Sequence, residues 1–385
     1  MAGAARQTNP FRFGDLALDD AFTDRVDELA ELTADIRNGQ NVVLLAPRRF
    51  GKSSLLWRAT QELAAGDEVL VARLDLMRTP TLERFAEKLA ATIYEDIASP
   101  LEQARDRALA VFASLRISPT VTISPDGSLG FGFSGGFSVA DVYATIEHLL
   151  ALPAELSAER GRRVALVFDE FQEIAKIDPH LIALMRSVFQ EQTDVAHVYA
   201  GSRRHMMSQI FNDENAPFWR SAKQLELGVI APDVFGPFVA ERFKATGRRV
   251  GGKTLARLLE ITHAHPYGTQ ELAYALWEVT LDGGTGRSDE LDEALRRVLA
   301  SENAHFARIW EDAPRGQRTL LEALARDPGR PPLSAEYRRA HNLAAPSSIQ
   351  TALRALVDDE VVAGFERGYR IAEPFLREWI VTRDL

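Results

Sequence analysis

One stretch of the sequence, residues 42–55, constrains the fold of this chain more than any other. It opens with Val42–Leu45, a short apolar run typical of a buried strand, and continues through a turn that ends in Gly-Lys-Ser at residues 51–53. Apolar side chains at helical spacing follow, beginning at Leu55. A strand, such a turn and a helix, in this order, predict a loop that binds phosphate groups.

Each part of this loop has a chemical role. Backbone N–H groups of the loop and of the helix N-terminus can surround phosphate oxygens, and Gly51 lets the backbone approach them without a Cβ. Lys52 would place a positive charge on the outer phosphates, and the Ser53 hydroxyl would be one ligand of an octahedral Mg²⁺. Ala46 stands where the pattern usually has its first glycine, and a small side chain suffices there. The nucleotide-binding residues expected from this loop are Pro47, Arg48, Arg49, Phe50, Gly51, Lys52, Ser53 and Ser54.

The overall composition excludes several classes of protein. A length of 385 residues suggests two or three domains, and 46% apolar with 26% charged residues is ordinary for a globular protein. The absence of cysteine excludes disulfides, thiolate catalysis and cysteine metal sites. No apolar run approaches the ~20 residues that span a membrane, and the N-terminus lacks the apolar segment of a signal peptide. We therefore expect a cytoplasmic protein that does not bind membranes.

The segments after the loop alternate between strand and helix. Val69–Asp75 is a second apolar strand, a helix is predicted from about Thr81 to Ile97, and further strands are predicted at Val164–Glu170 and Val195–Ser202. Continuous apolar strands that alternate with helices are typical of a parallel sheet covered by helices on both faces. The sequence therefore predicts an α/β P-loop fold.

Two predicted elements lie outside this alternation. A helix is expected to begin near Phe22 with Thr23 or Asp24 as its N-cap. Residues 117–137 contain two segments of alternating apolar and small polar residues around a turn at Pro125–Gly127, which predicts an inserted β-hairpin. We favour a surface flap without chemistry over an arm that binds a partner.

The strand at residues 164–168 ends in two carboxylates, Asp169 and Glu170. Ligands of open α/β sheets bind outside the carboxyl ends of the strands, so these side chains are candidates for the site. Asp169 would hold Mg²⁺, mostly through water. Glu170 would polarise the attacking water, a role that needs a base next to the γ-phosphate.

Three further polar residues follow the next strand. Ser202 and Arg203 are candidates to reach the γ-phosphate or the water between strands, and the other interpretation is a strand end with a solvated basic turn. Arg220 either bridges to the nucleotide of a neighbouring subunit or pairs with a carboxylate, and we favour the second.

From Ala231 the pattern becomes all-helical and predicts a small lid. His265 and Pro266 stand where the chain could pack on an adenine ring. His263 and His265 are not accompanied by a third ligand at a suitable spacing, so we do not expect a zinc site.

The last stretch, from about Pro314, predicts three helices and a tight hairpin, the pattern of a winged helix. Its third helix offers only Arg354 as a cation and runs into acidic residues, and the formal net charge of the chain is −10. Phosphate contacts dominate affinity for DNA, so we expect a poor DNA reader and favour a packing or switch module, although a local basic patch is possible.

Several of these segments occur in the order seen in a known family. They are Asn9-Pro10-Phe11, Arg25–Leu29, Arg48–Leu55, Phe168–Gln172, Gly201-Ser202 and His265-Pro266-Tyr267. On these residues the chain resembles the archaeal-type ATPases of the STAND branch of the AAA+ P-loop NTPases, and it is similar in plan to AAA+ replication initiators. The resemblance implies an AAA+ ATPase core over residues 1–230, a helical lid over residues 231–310 and a winged helix over residues 311–385. It also implies that ATP or ADP binds with Mg²⁺ between core and lid.

The resemblance assigns roles to four residues of the two strand ends. Lys52 and Ser53 would be the Walker A residues, and Asp169 and Glu170 would be the Walker B pair. The metal ligands from the protein would then be Ser53 and Asp169.

Three other residues receive weaker assignments from the resemblance. Ser202 or Arg203 would lie near the sensor position, and Pro266 matches the lid motif that touches the base. No sensor arginine is evident near Pro266, which argues against fast hydrolysis.

The sequence thus leads to a principal hypothesis and an alternative. The principal hypothesis is an ATP-binding switch with slow Mg²⁺-dependent ATPase activity, in which closing the lid over the γ-phosphate moves the winged helix. Its partner would be another protein or further copies of the chain. The alternative is an initiator-like or transposition-helper ATPase that binds DNA through its winged helix. GTP in place of ATP is not excluded by the loop.

Overall fold

The structure is a computed structural model that describes residues 8–16, 22–97, 119–123, 129–133, 138–365 and 368–383. The predicted hairpin turn at Pro125–Gly127 lies outside these residues. The chain divides into two compact units. The sheet unit contains Arg25–Arg48 and Lys52–Leu227, and the helical unit contains Met1–Asp24, Arg49–Gly51 and Gly228–Leu385.

The sheet unit alternates strands with helices. In chain order its elements are α1 (Val26–Arg37), β1 (Val42–Leu45), α2 (Lys52–Ala65), β2 (Val69–Asp75), α3 (Leu82–Asp96), β3 (Pro119–Ile123), β4 (Leu129–Phe133), α4 (Val139–Arg160), β5 (Arg163–Asp169), α5 (Ile174–Ile177), α6 (Pro179–Phe189), β6 (Val195–Gly201), α7 (Arg204–Phe211) and β7 (Lys223–Glu226). Short 3-10 turns lie at Leu76–Arg78 and Phe171–Glu173.

Five strands form one parallel sheet in the order β2-β5-β6-β1-β7. Asp75 of β2 is the register partner of Asp169 of β5, and Leu45 of β1 is the partner of Gly201 of β6. Because the strands are parallel, their carboxyl ends lie at one edge of the sheet. This register brings the end of β5 beside the ends of β2 and β6.

The sequence does not predict strand β7. Only Leu225 of its four residues is buried, so Lys223–Glu226 lacks the apolar run that marks the other strands. The strand pairs with β1 alone, at the edge of the sheet, where polar side chains are tolerated.

Two other sequence predictions have different outcomes. The inserted hairpin is confirmed, since β3 and β4 pair antiparallel with Val121 opposite Phe131. The predicted N-cap of α1 is wrong. The cap residue is Arg25, which has φ 63° and makes no side-chain capping bond. Asp24 also has a left-handed φ of 60°, so the chain turns into the helix later than its polar residues suggest.

The helical unit contains eight helices and two small pairs of strands within its described residues. They are α8 (Pro232–Ala245), β8 (Arg249–Val250), α9 (Gly252–Thr262), α10 (Pro266–Val279), β9 (Thr285–Gly286), α11 (Ser288–Asp312), α12 (Arg315–Arg326), α13 (Ala335–Ala340), α14 (Pro346–Asp358), β10 (Val362–Phe365), β11 (Gly368–Ile371) and α15 (Pro374–Arg383). Helices α12–α14 and the antiparallel β10–β11 pair form the predicted winged helix.

The N-terminal segment is anchored in the helical unit. Phe11 is 1% exposed, and its ring lies 5.2 Å from that of Phe243, centroid to centroid. The boundaries expected at residues 230 and 310 remain predictions.

Within the described residues, no helix combines the length and the apolar character that crossing a membrane requires.

We expect Phe171→Ala to lower the free energy of unfolding by about 4 kcal/mol, because Phe171 is fully buried and its loss leaves a cavity. Its ring packs against Tyr199 at 4.7 Å and Phe211 at 5.7 Å between centroids. Met77→Ala is the control, since Met77 is 65% exposed, and it should change stability by less than about 0.5 kcal/mol. Urea denaturation followed by circular dichroism measures both. Equal small losses would show that the aromatic cluster is not the core.

Candidate functional site

The phosphate loop connects β1 to α2 as its sequence predicts. Ala46 is fully buried, and its N–H donates to the Gly201 carbonyl at 3.3 Å, which ties the start of the loop to the end of β6. Gly51 has φ +84°, a left-handed conformation that favours glycine. Helix α2 begins at the next residue, Lys52. The N-terminus of this helix therefore opens at the carboxyl edge of the sheet.

Lys52 lies between the two carboxylates at the end of β5. Its Nζ forms an ion pair with Asp169 Oδ1 and lies 2.8 Å from Glu170 Oε1. The side chains of Lys52 and Asp169 are 5% and 7% exposed, so their pair is well shielded from water. Within the sheet unit, Lys52 therefore has as its partners the two carboxylates that the sequence predicts for the site.

A second cation, Arg73 of β2, completes this cluster. Its Nη2 lies 2.5 Å from Asp169 Oδ2. Two cations, Lys52 and Arg73, therefore face two carboxylates, Asp169 and Glu170, and the formal charges of the cluster cancel. Because the charges are balanced, four charged side chains can lie together in a largely buried site.

The second carboxylate oxygen of Glu170, Oε2, is held by hydrogen bonds from two neighbouring side chains. Glu170 has φ 53°, a left-handed conformation at the end of β5. Glu170 Oε2 accepts hydrogen bonds from Gln172 Nε2 at 2.6 Å and from Ser202 Oγ at 2.9 Å. Arg203 is not brought to the carboxylates, and its Nη1 lies 3.9 Å from Met206 Sδ. Of the two sensor candidates, Ser202 is the one at the site.

These contacts set the ionisation of the two carboxyl groups. Burial alone would raise the pKa of both, but the charge and hydrogen bond of Lys52, together with the other donors around each carboxyl group, outweigh it. Arg73 adds to this effect at Asp169, and Ser202 adds to it at Glu170. The pKa of each group therefore lies below its ordinary value, and both are ionised at neutral pH.

The two metal ligands predicted from the sequence converge. Ser53 Oγ donates to Asp169 Oδ2 at 3.5 Å. A hydroxyl and a carboxylate are hard oxygen donors, which fit Mg²⁺. The described residues contain no group of three or more His, Cys, Asp or Glu side chains placed to hold a metal ion. A magnesium ion here would therefore take most of its ligands from phosphate oxygens and water.

Four predicted site residues, Arg49, Phe50, Gly51 and Pro266, belong to the helical unit. The Arg49 guanidinium lies 4.2 Å from the centroid of the Tyr267 ring, and the Phe50 ring meets the His265 ring edge-on at 4.6 Å. Pro266 is the first residue of α10. His265 Nδ1 accepts a hydrogen bond from the Gly268 N–H at 3.2 Å, so this histidine caps the helix.

The expectation that Arg220 pairs with a carboxylate is wrong. Its guanidinium lies 5.5 Å from the centroid of the neighbouring Trp219 ring, and the part of the chain that the structure describes places no carboxylate within ion-pair distance of it. Trp219 is 46% exposed, so the pair lies at the surface.

Sequence reasoning missed two residues of the site, Arg73 and Gln172. Arg73 had a visible signal, because it is the only charged residue inside an otherwise apolar strand before Asp75. A charged side chain inside a buried parallel strand is stable only when an opposite charge pairs with it, and the edge of the sheet is where such a partner can lie. Gln172 had no such signal, since its contact depends on the 3-10 turn after β5.

Comparisons with known proteins agree with this architecture. Residues 304–382 match the family model described as a probable winged helix domain. The chain is similar to a Walker-type ATPase of Pyrococcus abyssi, with a TM-score of 0.66 and 17% identity, over 97% of this chain and 99% of that chain. It is also similar to the ORC2 protein of Aeropyrum pernix in its ADPNP and ADP complexes, with a TM-score of 0.56 and 14% identity, over 97% of this chain and 96% of that chain. No curated protein sequence matches the chain significantly.

The chain therefore has the fold of the P-loop ATPases of the AAA+ type, with a winged helix in its C-terminal part. The fold class predicted from the sequence is confirmed, as is the resemblance in fold to a Walker-type ATPase and to an ORC2 protein. At identities of 14% to 17% this likeness establishes the fold, and the activity must be argued from the site.

We expect Lys52→Met to lower the free energy of unfolding at pH 7 by about 3 kcal/mol, because Asp169 and Glu170 lose the cation they share. The double variant Lys52→Met/Asp169→Asn should recover much of this loss. Lys176→Met is the control, since this lysine is 52% exposed and forms only a surface pair. Urea denaturation without nucleotide and Mg²⁺ measures all three. An unchanged stability of Lys52→Met would contradict the buried ion pair.

Proposed function

We propose that the protein is an ATP-binding ATPase of the AAA+ type that works as a nucleotide-dependent conformational switch with slow Mg²⁺-dependent hydrolysis. The observation that carries this proposal is the position of Lys52, at the N-terminus of α2 and between the carboxylates of β5. Such a lysine can exchange carboxylate partners for phosphate oxygens.

Nucleotide binding would use the loop backbone and its lysine. The N–H groups of residues at the start of α2 point toward the carboxyl edge, where the helix dipole favours an anion. The residues of the sheet unit proposed to bind are Pro47, Arg48, Lys52, Ser53 and Ser54. Mg²⁺, held by Ser53 and Asp169, would draw charge from the phosphate oxygens.

Glu170 is the proposed general base. Its Oε2 is fixed by Ser202 and Gln172, and its Oε1 contacts Lys52. When Lys52 turns to a phosphate, Oε1 becomes available to accept a hydrogen bond from the attacking water. Ser202 would then act as a positioning residue that keeps the carboxylate ionised and oriented.

Slow turnover is supported by the residues at the two expected sensor positions. Helix α10, which begins at Pro266, contains no arginine or lysine. Arg203 contacts Met206 and not the carboxylates. Neither sensor position therefore offers an arginine to the γ-phosphate, and arginines that contact this phosphate raise turnover strongly in phosphoryl transfer.

The switch follows from the same lysine. Without nucleotide Lys52 stabilises two carboxylates, and with nucleotide it would stabilise phosphates, so the two states differ in a buried ion-pair network. A ligand that binds one of these states more tightly shifts the population toward it. The partner that reads this change would be another protein or further copies of the chain.

We expect Glu170→Gln to bind ATP but to lose turnover by about 100-fold or more, because the base is removed and the side-chain shape is kept. Lys52→Ala should lose nucleotide binding. Glu173→Gln is the matched control, since Glu173 pairs with Lys176 at 2.7 Å outside the cluster, and it should keep wild-type turnover.

The measurements are phosphate release, ATP and GTP competition for binding, and light scattering in each nucleotide state. A change of mass with nucleotide would support assembly of copies. Wild-type turnover in Glu170→Gln would contradict the assigned base, and no nucleotide binding by the wild type would refute the proposal.

The alternative is an initiator-like or transposition-helper ATPase that binds DNA, and the winged helix match at residues 304–382 favours it. Against it, Arg354 is the only cation of α14, and the net charge of the chain is −10. We expect duplex binding to be absent at low salt. Binding that weakens steeply as salt rises, and that Arg354→Ala reduces, would instead support the alternative.

A further inference from the structure

Arg73 is the charged residue whose place in the site the proposed function does not yet explain. It lies on β2 opposite Val167 of β5, and its backbone N–H donates to Asp96 Oδ2 at 3.3 Å. The strand therefore fixes the backbone position of Arg73. The side chain is 28% exposed, so it can move toward solvent.

The two oxygens of Asp169 have different partners. Oδ1 pairs with Lys52 and accepts the Glu170 backbone N–H at 3.0 Å. Oδ2 faces the Ser53 hydroxyl at 3.5 Å, and it is this oxygen that Arg73 Nη2 contacts at 2.5 Å. The guanidinium thus occupies the carboxylate oxygen that lies beside the second metal ligand.

We propose that Arg73 is an internal cation that competes with Mg²⁺ for Asp169. This inference rests on the proposed function. Arg73 holds the carboxylate in position while the metal is absent, and it must release Oδ2 before a metal or its bound water can use that oxygen. Arg73 is a positioning residue in this scheme.

The charges of the cluster predict whether metal affinity rises or falls when Arg73 is removed. Two cations balance two carboxylates in the cluster, so a divalent ion that arrives with Arg73 still in place meets a site without net negative charge. Removal of Arg73 leaves one uncompensated negative charge beside Ser53 and Asp169. A variant without this cation should therefore bind the metal more tightly.

The experiment uses the full-length protein with ADP and with Mn²⁺ as the probe for the divalent ion, followed by the electron paramagnetic resonance of free Mn²⁺. We expect Arg73→Gln to lower the Mn²⁺ concentration at half-saturation by about tenfold, the size expected for one hydrogen bond between charged groups. Arg73→Lys should change it less. Arg78→Gln is the control, since Arg78 is 76% exposed and pairs with Asp75 at 3.3 Å.

A second measurement, the melting temperature, tests the role of Arg73 in the metal-free protein. In EDTA, Arg73→Gln should lower the melting temperature more than Arg78→Gln does, and saturating Mn²⁺ with ADP should remove most of this difference. An unchanged Mn²⁺ half-saturation in Arg73→Gln would overturn the competition. Weaker Mn²⁺ or ADP binding would also overturn it and would assign Arg73 to the phosphates. If the wild type binds ADP neither in EDTA nor with Mn²⁺, the proposed function itself fails.

Discussion

The site depends on one buried ion pair, that of Lys52 with Asp169. Both side chains are almost fully buried, and a buried charge is stable only when it is paired. The lysine and the carboxylate therefore fix each other's position. Glu170 and Arg73 extend the pair into a balanced cluster of four charges. In the proposed function, a nucleotide and its metal would bring their own charges and would have to rearrange these contacts to enter. The interaction that stabilises the ligand-free protein would then also make it responsive to ligand.

The fold supports this cluster through its register. Parallel pairing puts the ends of β1, β2, β5 and β6 at one edge, which is where each strand delivers a site residue. Glu170 leaves β5 in a left-handed conformation, and the next residue, Phe171, inserts into an aromatic cluster with Tyr199. The packing of Phe171 in this cluster therefore helps to fix the position of the neighbouring Glu170 carboxylate. A substitution that disturbs the aromatic cluster should also disturb the site.

Much of this could be predicted from the sequence, because the deciding signals are local. The apolar run before Gly51 and the carboxylates after the apolar run at residues 164–168 mark strand ends, and their parallel pairing follows from alternation with helices. What the sequence does not reveal depends on tertiary contacts. Strand β7 has too few apolar residues to be recognised, and the partners of Arg73 are set by register across two strands. The surface position of Arg220 over Trp219 has no sequence signal either.

In the proposed switch, phosphates and carboxylates compete for Lys52. The most direct measurement is the affinity for ADP in EDTA, by calorimetry, of the wild type beside Glu170→Gln. Removing one carboxylate that holds Lys52 at 2.8 Å should strengthen metal-free binding by roughly tenfold, since less must be broken to free the lysine. The gain should disappear when Lys52 is also replaced by methionine. Equal or weaker binding by Glu170→Gln would show that Lys52 does not exchange partners, and the switch would lose its physical basis.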